Sequence, residues 1–136
     1  MDLNAYLLYN GQCKEAFSFY ARVLSGKITM MSTHGESPMA DQVPPDWRDK
    51  IIHARLEIGG QVVMGSDTPS QHFEAPQGFS MSIGIPTPAE GERIFNALSE
   101  GGTIKMPFQK TFWSSGFGMF TDRFGIPWMV NCNQPA

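Results

Sequence analysis

The sequence predicts an α+β chain made of two βαβββ modules. Strand and helix signals run β-α-β-β-β and then repeat that order, with halves of similar length. The two helical stretches also match by position: Glu15, Phe19, Tyr20, Val23 and Gly26 correspond at constant spacing to Glu90, Ile94, Phe95, Leu98 and Gly101. Near the end of each half, Gly60 and Met64 match Gly125 and Met129 in the same way. Helix resemblance alone is weak, because such spacing recurs in any core helix. The repeated element order turns it into evidence for a duplicated module.

The elements follow in order. "NAYLLY" reads as the first strand, closed by the turn dipeptide Asn10–Gly11. In "CKEAFSFYARVLSG", Ala16, Phe19, Tyr20, Val23 and Leu24 make one helix face, and Gly26 stands where a C-terminal cap is expected. "KITMMST" is a short strand. Residues 34–49 carry Pro38, Pro44 and Pro45 among polar residues and read as a mobile loop. "KIIHARLEIGGQVVMGSD" gives two strands joined at Gly59–Gly60. A second polar loop, 68–77, precedes the strand "GFSMSIGI". The helix "TPAEGERIFNALSEGG" opens on a capping-box pattern of Thr87, Pro88 and Glu90. "TIKMPFQKTFW" and a hairpin turning at "DRFG" complete the chain. The expectation is a single domain over 1–136, with module one at about 1–67 and module two at about 77–132.

Composition narrows the function classes. At 136 residues and 41% hydrophobic content the chain can bury a real core. A net charge of -3 offers no basic footprint for nucleic acid and no polybasic patch for a membrane. No apolar run has bilayer length, and "MDLNAYLLYNG" lacks the features of a signal peptide. The two cysteines, Cys13 and Cys132, are expected to be free thiols in a cytoplasmic protein. There is no GxSxG elbow, no GxGxxG after a strand and no Walker loop. Nothing resembles a glycine-rich loop for a methyl donor, so a methyltransferase finds no support in these residues.

The paired modules, with "LYNGQCKEAFSFYARVLSG", "IIHARLEIGG" and "MPFQKTFWSSGFGMFTDRFGIPWMVNC", resemble the vicinal-oxygen-chelate superfamily, which includes glyoxalase I, bleomycin-resistance proteins and extradiol dioxygenases. Within it they resemble the PhnB-like branch. The match covers nearly the whole chain, and the closing block is its most specific part. The resemblance implies a glyoxalase/bleomycin-resistance-like fold, with a curved mixed sheet around a cavity and helices outside. It also implies a homodimer and a small-molecule ligand. Metal-dependent members carry His and Glu ligands on the first and fourth strands of each module, where a divalent ion chelates two substrate oxygens. Carried onto this chain, those positions read Ala5, Met64, Ser80 and Met129, with one residue of latitude at Ala5 and Ser80. Such a set does not suit zinc, nickel or iron(II). No metal and no cofactor are therefore expected.

Strand alternation then selects candidate pocket residues. If Met64 and Met129 point inward, so do Val62, Ser66, Pro127 and Asn131, while Trp128, Val130 and Cys132 face the helix. Burying Trp128 removes about 150–250 Å² from water, worth about 4–6 kcal/mol at about 25 cal/mol per Å². On "IIHARLEI", Ile52, Ala54, Leu56 and Ile58 should meet the helix, leaving Ile51, His53, Arg55 and Glu57 on the other face. His53 is the candidate acid/base, against a plain cross-strand hydrogen-bonded role. Arg55 either anchors a carboxylate or phosphonate or pairs with Glu57. Trp113 is placed at the pocket mouth or in packing, with Phe112, Phe117 and Phe120 adding aromatic area. The candidate ligand pocket is thus Met64, Ser80, Trp113, Phe120, Met129 and Asn131, suited to a flat or apolar ligand. His34 and His72 fall in loops and read as solvated or loop-packing residues. Two functions are carried forward: a metal-free small-molecule-binding protein, and a lyase or isomerase working through His53 or through metal ligands not identified.

Overall fold

The computed structural model describes residues 1–135 and divides into two compact units, Met1–Glu74 and Ala75–Ala136. In the first unit the order is β1 (Ala5–Tyr9), α1 (Cys13–Leu24), β2 (Lys27–Thr33), β3 (Ile51–Ile58) and β4 (Gln61–Asp67). In the second it is β5 (Met81–Ile85), α2 (Pro88–Ser99), β6 (Thr103–Gln109), β7 (Phe117–Thr121) and β8 (Pro127–Cys132). Each unit has its own four-stranded mixed sheet, ordered β1-β4-β3-β2 and β5-β8-β7-β6. In both, the first strand runs parallel to the fourth and the other pairs are antiparallel. The two βαβββ modules are as the sequence predicts. Among the described residues no helix is long and apolar enough to cross a membrane.

One helix covers one face of each sheet. In the first unit, Ala16, Phe17, Phe19, Tyr20 and Val23 of α1 are buried with Leu7, Tyr9, Ala54 and Leu56 of the strands. The Tyr9 and Tyr20 hydroxyls meet at 3.1 Å inside this core, so two phenols are buried with a shared hydrogen bond. In the second unit, Phe95 of α2 meets Phe120 edge-on at 5.2 Å, and Phe120 stacks on Trp128 at 6.5 Å. Trp128, Val130 and Cys132 are buried, while the alternate residues Pro127, Met129 and Asn131 are half-buried. β8 therefore carries the period-two pattern of a strand with one face on a core.

Two buried carboxylates fasten these layers. Asp67, at the end of β4, accepts from Cys13 N at 2.9 Å and Ile51 N at 2.8 Å. It thereby caps the start of α1, whose own N-cap residue Gln12 makes no side-chain bond, and holds the first residue of β3. Asp122, after β7, accepts from Phe124 N at 2.9 Å, Ile126 N at 3.0 Å and Trp128 Nε1 at 2.8 Å. One side chain thus closes the β7–β8 turn and fixes the Trp128 indole. The second helix is capped locally instead, by Thr87 Oγ1 accepting from Glu90 N at 3.3 Å.

Some local expectations change. At the end of α1 the left-handed residue is Ser25, with φ of 54°, and not Gly26. Gly26 is needed for a different reason: a Cβ there would lie 2.8 Å from Ile58 Cγ1 and 2.9 Å from Glu57 O. Ile51, expected on the open face, is buried, because its backbone is drawn to Asp67 where the β2–β3 pairing is irregular. The 34–49 loop contains three short 3-10 turns, His34–Glu36, Ala40–Gln42 and Pro45–Trp47. Its ends are tied by His34 N donating to Lys50 O and Gly35 N to Arg48 O, both at 2.8 Å.

Two stability predictions follow from these contacts. Asp122→Ala strips the acceptor from a buried indole N–H and two turn amides, and should cost about 3–5 kcal/mol in urea unfolding. Gly65→Ala should cost about 1–3 kcal/mol, because its Cβ would stand 2.8 Å from Phe17 Cζ and 2.9 Å from Leu7 O. A wild-type midpoint for either variant would refute the contact assigned to it.

Candidate functional site

The helix takes one face of each sheet, and the chemistry-bearing side chains gather on the other. In the first unit the hydrogen-bonded register aligns Tyr6, Met64, Arg55 and Met30 across β1, β4, β3 and β2. Along β3, His53 and Glu57 flank Arg55 on the same face, with Ser32 opposite His53 on β2. The Tyr6 ring reaches across β4 to His53: its hydroxyl lies 3.0 Å from Nδ1 and the rings stack at 5.6 Å. With the phenol donating, Nδ1 is the acceptor and a neutral imidazole carries its proton on Nε2. Arg55 Nη1 stands 3.5 Å from Glu57 Oε1, with both side chains more than two-fifths exposed. A pair this open contributes little to stability.

The second unit presents a different surface at equivalent positions. Ser82, Met129, Met119 and Met106 align across β5, β8, β7 and β6. The neighbouring row is Gly84, Asn131, Phe117 and Gln109. Trp113 packs edge-on against Phe117 at 5.3 Å and Phe112 at 4.8 Å, and remains about half exposed. Its loop is pinned by buried Ser114, whose Oγ lies 2.8 Å from Gly116 O and 3.0 Å from Cys132 O. Asn131 Oδ1 is enclosed and has no hydrogen-bond partner among the described residues. The surface is thus largely thioether and aromatic, with the Asn131 and Gln109 amides set at either side of Phe117.

Of the residues singled out from the sequence, Met129, Asn131 and, through Phe117, Trp113 belong to this second face. Met64 and His53 lie on the face of the first unit. Phe120 leaves the set: it is 1% exposed, on the helix side of β7 between Phe95 and Trp128. Its parity is opposite to that of Met119 and Phe117, so it is core and not pocket wall. Ser80 precedes β5, and the residue in register with Met129 is Ser82. Likewise Tyr6, not Ala5, is in register with Met64. Counting back from the helices misplaces the strands because three residues separate β1 from α1 but two separate β5 from α2.

The register allows a test of the metal set. The first- and fourth-strand positions are Tyr6 and Met64 in one unit, Ser82 and Met129 in the other. A phenol, a hydroxyl and two thioethers do not fit zinc, nickel or iron(II), which favour imidazole and carboxylate. Among the described residues no group of three or more His, Cys, Asp or Glu is placed to hold a metal ion. Cys13, a free thiol, is fully buried at the start of α1. Burial foremost, and the Asp67 carboxylate second, push its thiol well above the usual range, so it does not supply a thiolate. Tyr6 was missed because an aromatic in a first strand looks like core. Only its odd parity beside buried Leu7 and Tyr9 could have marked it.

A family model described as 3-demethylubiquinone-9 3-methyltransferase matches residues 2–131. Protein YjdN of Escherichia coli (strain K12) is 36% identical, covering 96% of this chain and 95% of that protein. The crystal structure of protein PA1353 from Pseudomonas aeruginosa is 48% identical with a TM-score of 0.90, covering 98% of both chains. The PhnB protein from Bacillus cereus is 25% identical with a TM-score of 0.84, covering 97% of this chain and 99% of that one. At 12% identity, a glyoxylase/bleomycin resistance protein/dioxygenase domain from Frankia sp. EAN1pec shares the fold, with a TM-score of 0.65 and 98% of each chain covered. The chain therefore belongs to the PhnB-like family described as 3-demethylubiquinone-9 3-methyltransferase, within the glyoxalase/bleomycin-resistance fold.

Proposed function

We propose that this chain is a metal-free small-molecule-binding protein of the glyoxalase-like superfamily. The observation that carries the reading is the pair of thioethers, Met64 and Met129, at matching fourth-strand positions beside Tyr6 and Ser82. A chelating ion has no suitable donors there, whereas thioethers and aromatics suit adaptable contact with a flat or apolar ligand. This reading differs from the methyltransferase activity in the family's description. The first strand-to-helix links are Asn10–Gln12 and Pro86–Thr87, and neither is the glycine-rich loop on which a doubly wound fold seats a nucleotide-like donor. The same reading takes the protein to be a cytoplasmic homodimer.

A second reading is favoured by one observation, the 3.0 Å contact between Tyr6 and His53. It makes the chain a lyase or isomerase in which this pair moves a proton. With the phenol donating to Nδ1, substrate would meet either Nε2–H as an acid or the Tyr6 oxygen relaying its proton to the imidazole.

Elemental analysis of protein purified without chelator should find less than stoichiometric divalent metal. Added zinc, nickel, cobalt or manganese should leave the melting temperature unchanged within about 1 °C, where a site filled at about a hundred times its Kd would add about 2.7 kcal/mol. A stoichiometric divalent ion overturns the metal-free reading. Mass spectrometry of a bound compound recovered after incubation separates the two functions. Unchanged ligand supports binding, while a product that disappears in His53→Gln supports the enzyme.

A further inference from the structure

We infer that the open face of the first sheet holds a recognition site for a singly charged carboxylate carried on an apolar body. The inference rests on the binding reading above and names the charged group of the ligand. Its centre is Arg55, whose only ion pair among the described residues is the loose 3.5 Å contact of one nitrogen with Glu57. The remaining guanidinium N–H groups are available in the planar fork that matches a carboxylate. His53 lies two residues along the same strand face, about 7 Å away. Its Nδ1 lies 3.0 Å from the Tyr6 hydroxyl, and in the tautomer where the phenol donates, Nε2–H is a second donor. A carboxylate set between these positions receives the Arg55 fork on one side and Nε2–H on the other.

The surroundings select among anions. Glu57 stands beside Arg55 and repels a second negative charge, so a carboxylate is preferred to a doubly charged phosphate or phosphonate. Met64 and Met30 flank Arg55 on the adjacent strands, and Tyr6 lies beyond Met64, so the floor around the cation is thioether and aromatic. That floor suits the apolar remainder of an aryl or alkyl carboxylic acid. The arrangement is specific to the first module. At the matching positions the second module carries Phe117 and Met119.

The test uses the full chain after chelator treatment, titrated with benzoate, benzamide and phenylphosphonate by calorimetry and by amide NMR. Benzoate should bind saturably and shift resonances of Tyr6 and residues 53–57, with benzamide weaker by about tenfold or more. Arg55→Met should weaken benzoate by a similar factor while the melting temperature stays near wild type, since the Glu57 pair is exposed. Glu57→Gln should tighten benzoate a few-fold and raise phenylphosphonate affinity more. Equal binding of benzoate and benzamide, or wild-type affinity in Arg55→Met, would overturn the site. Tighter binding of phenylphosphonate than of benzoate by the wild-type chain would overturn its charge selection. Stoichiometric metal in the untreated protein would sink the metal-free reading yet leave this result standing, because the titrations use chelator-treated chain.

Discussion

Each four-stranded sheet has a single helix to cover two faces, and that imbalance governs the rest of the structure. Burial of α1 and α2 claims one parity of side chains on every strand they cross. The other parity is left to be half-buried, polar or functional. On β8 the division is plain, with Trp128, Val130 and Cys132 inside and Pro127, Met129 and Asn131 outside. A slip of one residue would exchange those sets and bury the wrong side chains. Asp122 works against such a slip. Its carboxylate ties the turn amides and the Trp128 indole together, so the returning strand enters in one register. Asp67 has the corresponding role in the first module, joining the start of α1 to the start of β3.

Parity also explains what the sequence made legible. The element order, both helices, the burial of Trp128 and the open-face placement of Arg55 and Glu57 all follow from local periodicity. Those are properties of residues within one element, and the chain order displays them directly. Tyr6 lies within the one-residue latitude around Ala5, but Ser82 lies two residues beyond Ser80, because the pairing of β5 with β8 depends on link lengths that no repeat within an element records. Phe120 went astray through assignment by neighbourhood: its aromatic company in "FGMFTDRFGIPW" hid the fact that it alternates with Met119. Tyr6 and His53 lie two strands apart, and only the folded sheet shows that the phenol spans β4 to reach the imidazole.

The two modules share one frame, and their open faces differ. Where β3 presents His53 and Arg55, β7 presents Phe117 and Met119. The frames stay alike because their helices and buried strand parities are constrained by packing. The open faces answer to no such constraint within their own units, and there one module carries polar and charged side chains while the other is largely thioether and aromatic. On the second face Asn131 is an amide whose oxygen is enclosed without a partner among the described residues. A buried acceptor left this way costs roughly 1–3 kcal/mol, which a donor brought to it would recover.

The absence of ligand-type side chains at position 64 and the cation at position 55 are best understood together. Arg55 stands directly across from Met64 in the sheet. Side chains so paired lie about 4.5–5.5 Å apart at Cβ, well within reach of a guanidinium. A carboxylate at position 64 would therefore meet Arg55 before it met an ion, and the charge-assisted hydrogen bonds formed would occupy the oxygens a metal needs. The guanidinium would also oppose a divalent cation directly, by like charge at short range. Methionine avoids both conflicts: it brings no charge, fills the space beside the guanidinium and leaves the fork free. With Arg55 in place this register is consistent with the proposed recognition of an anion, because the thioether neither neutralises the guanidinium nor competes for it.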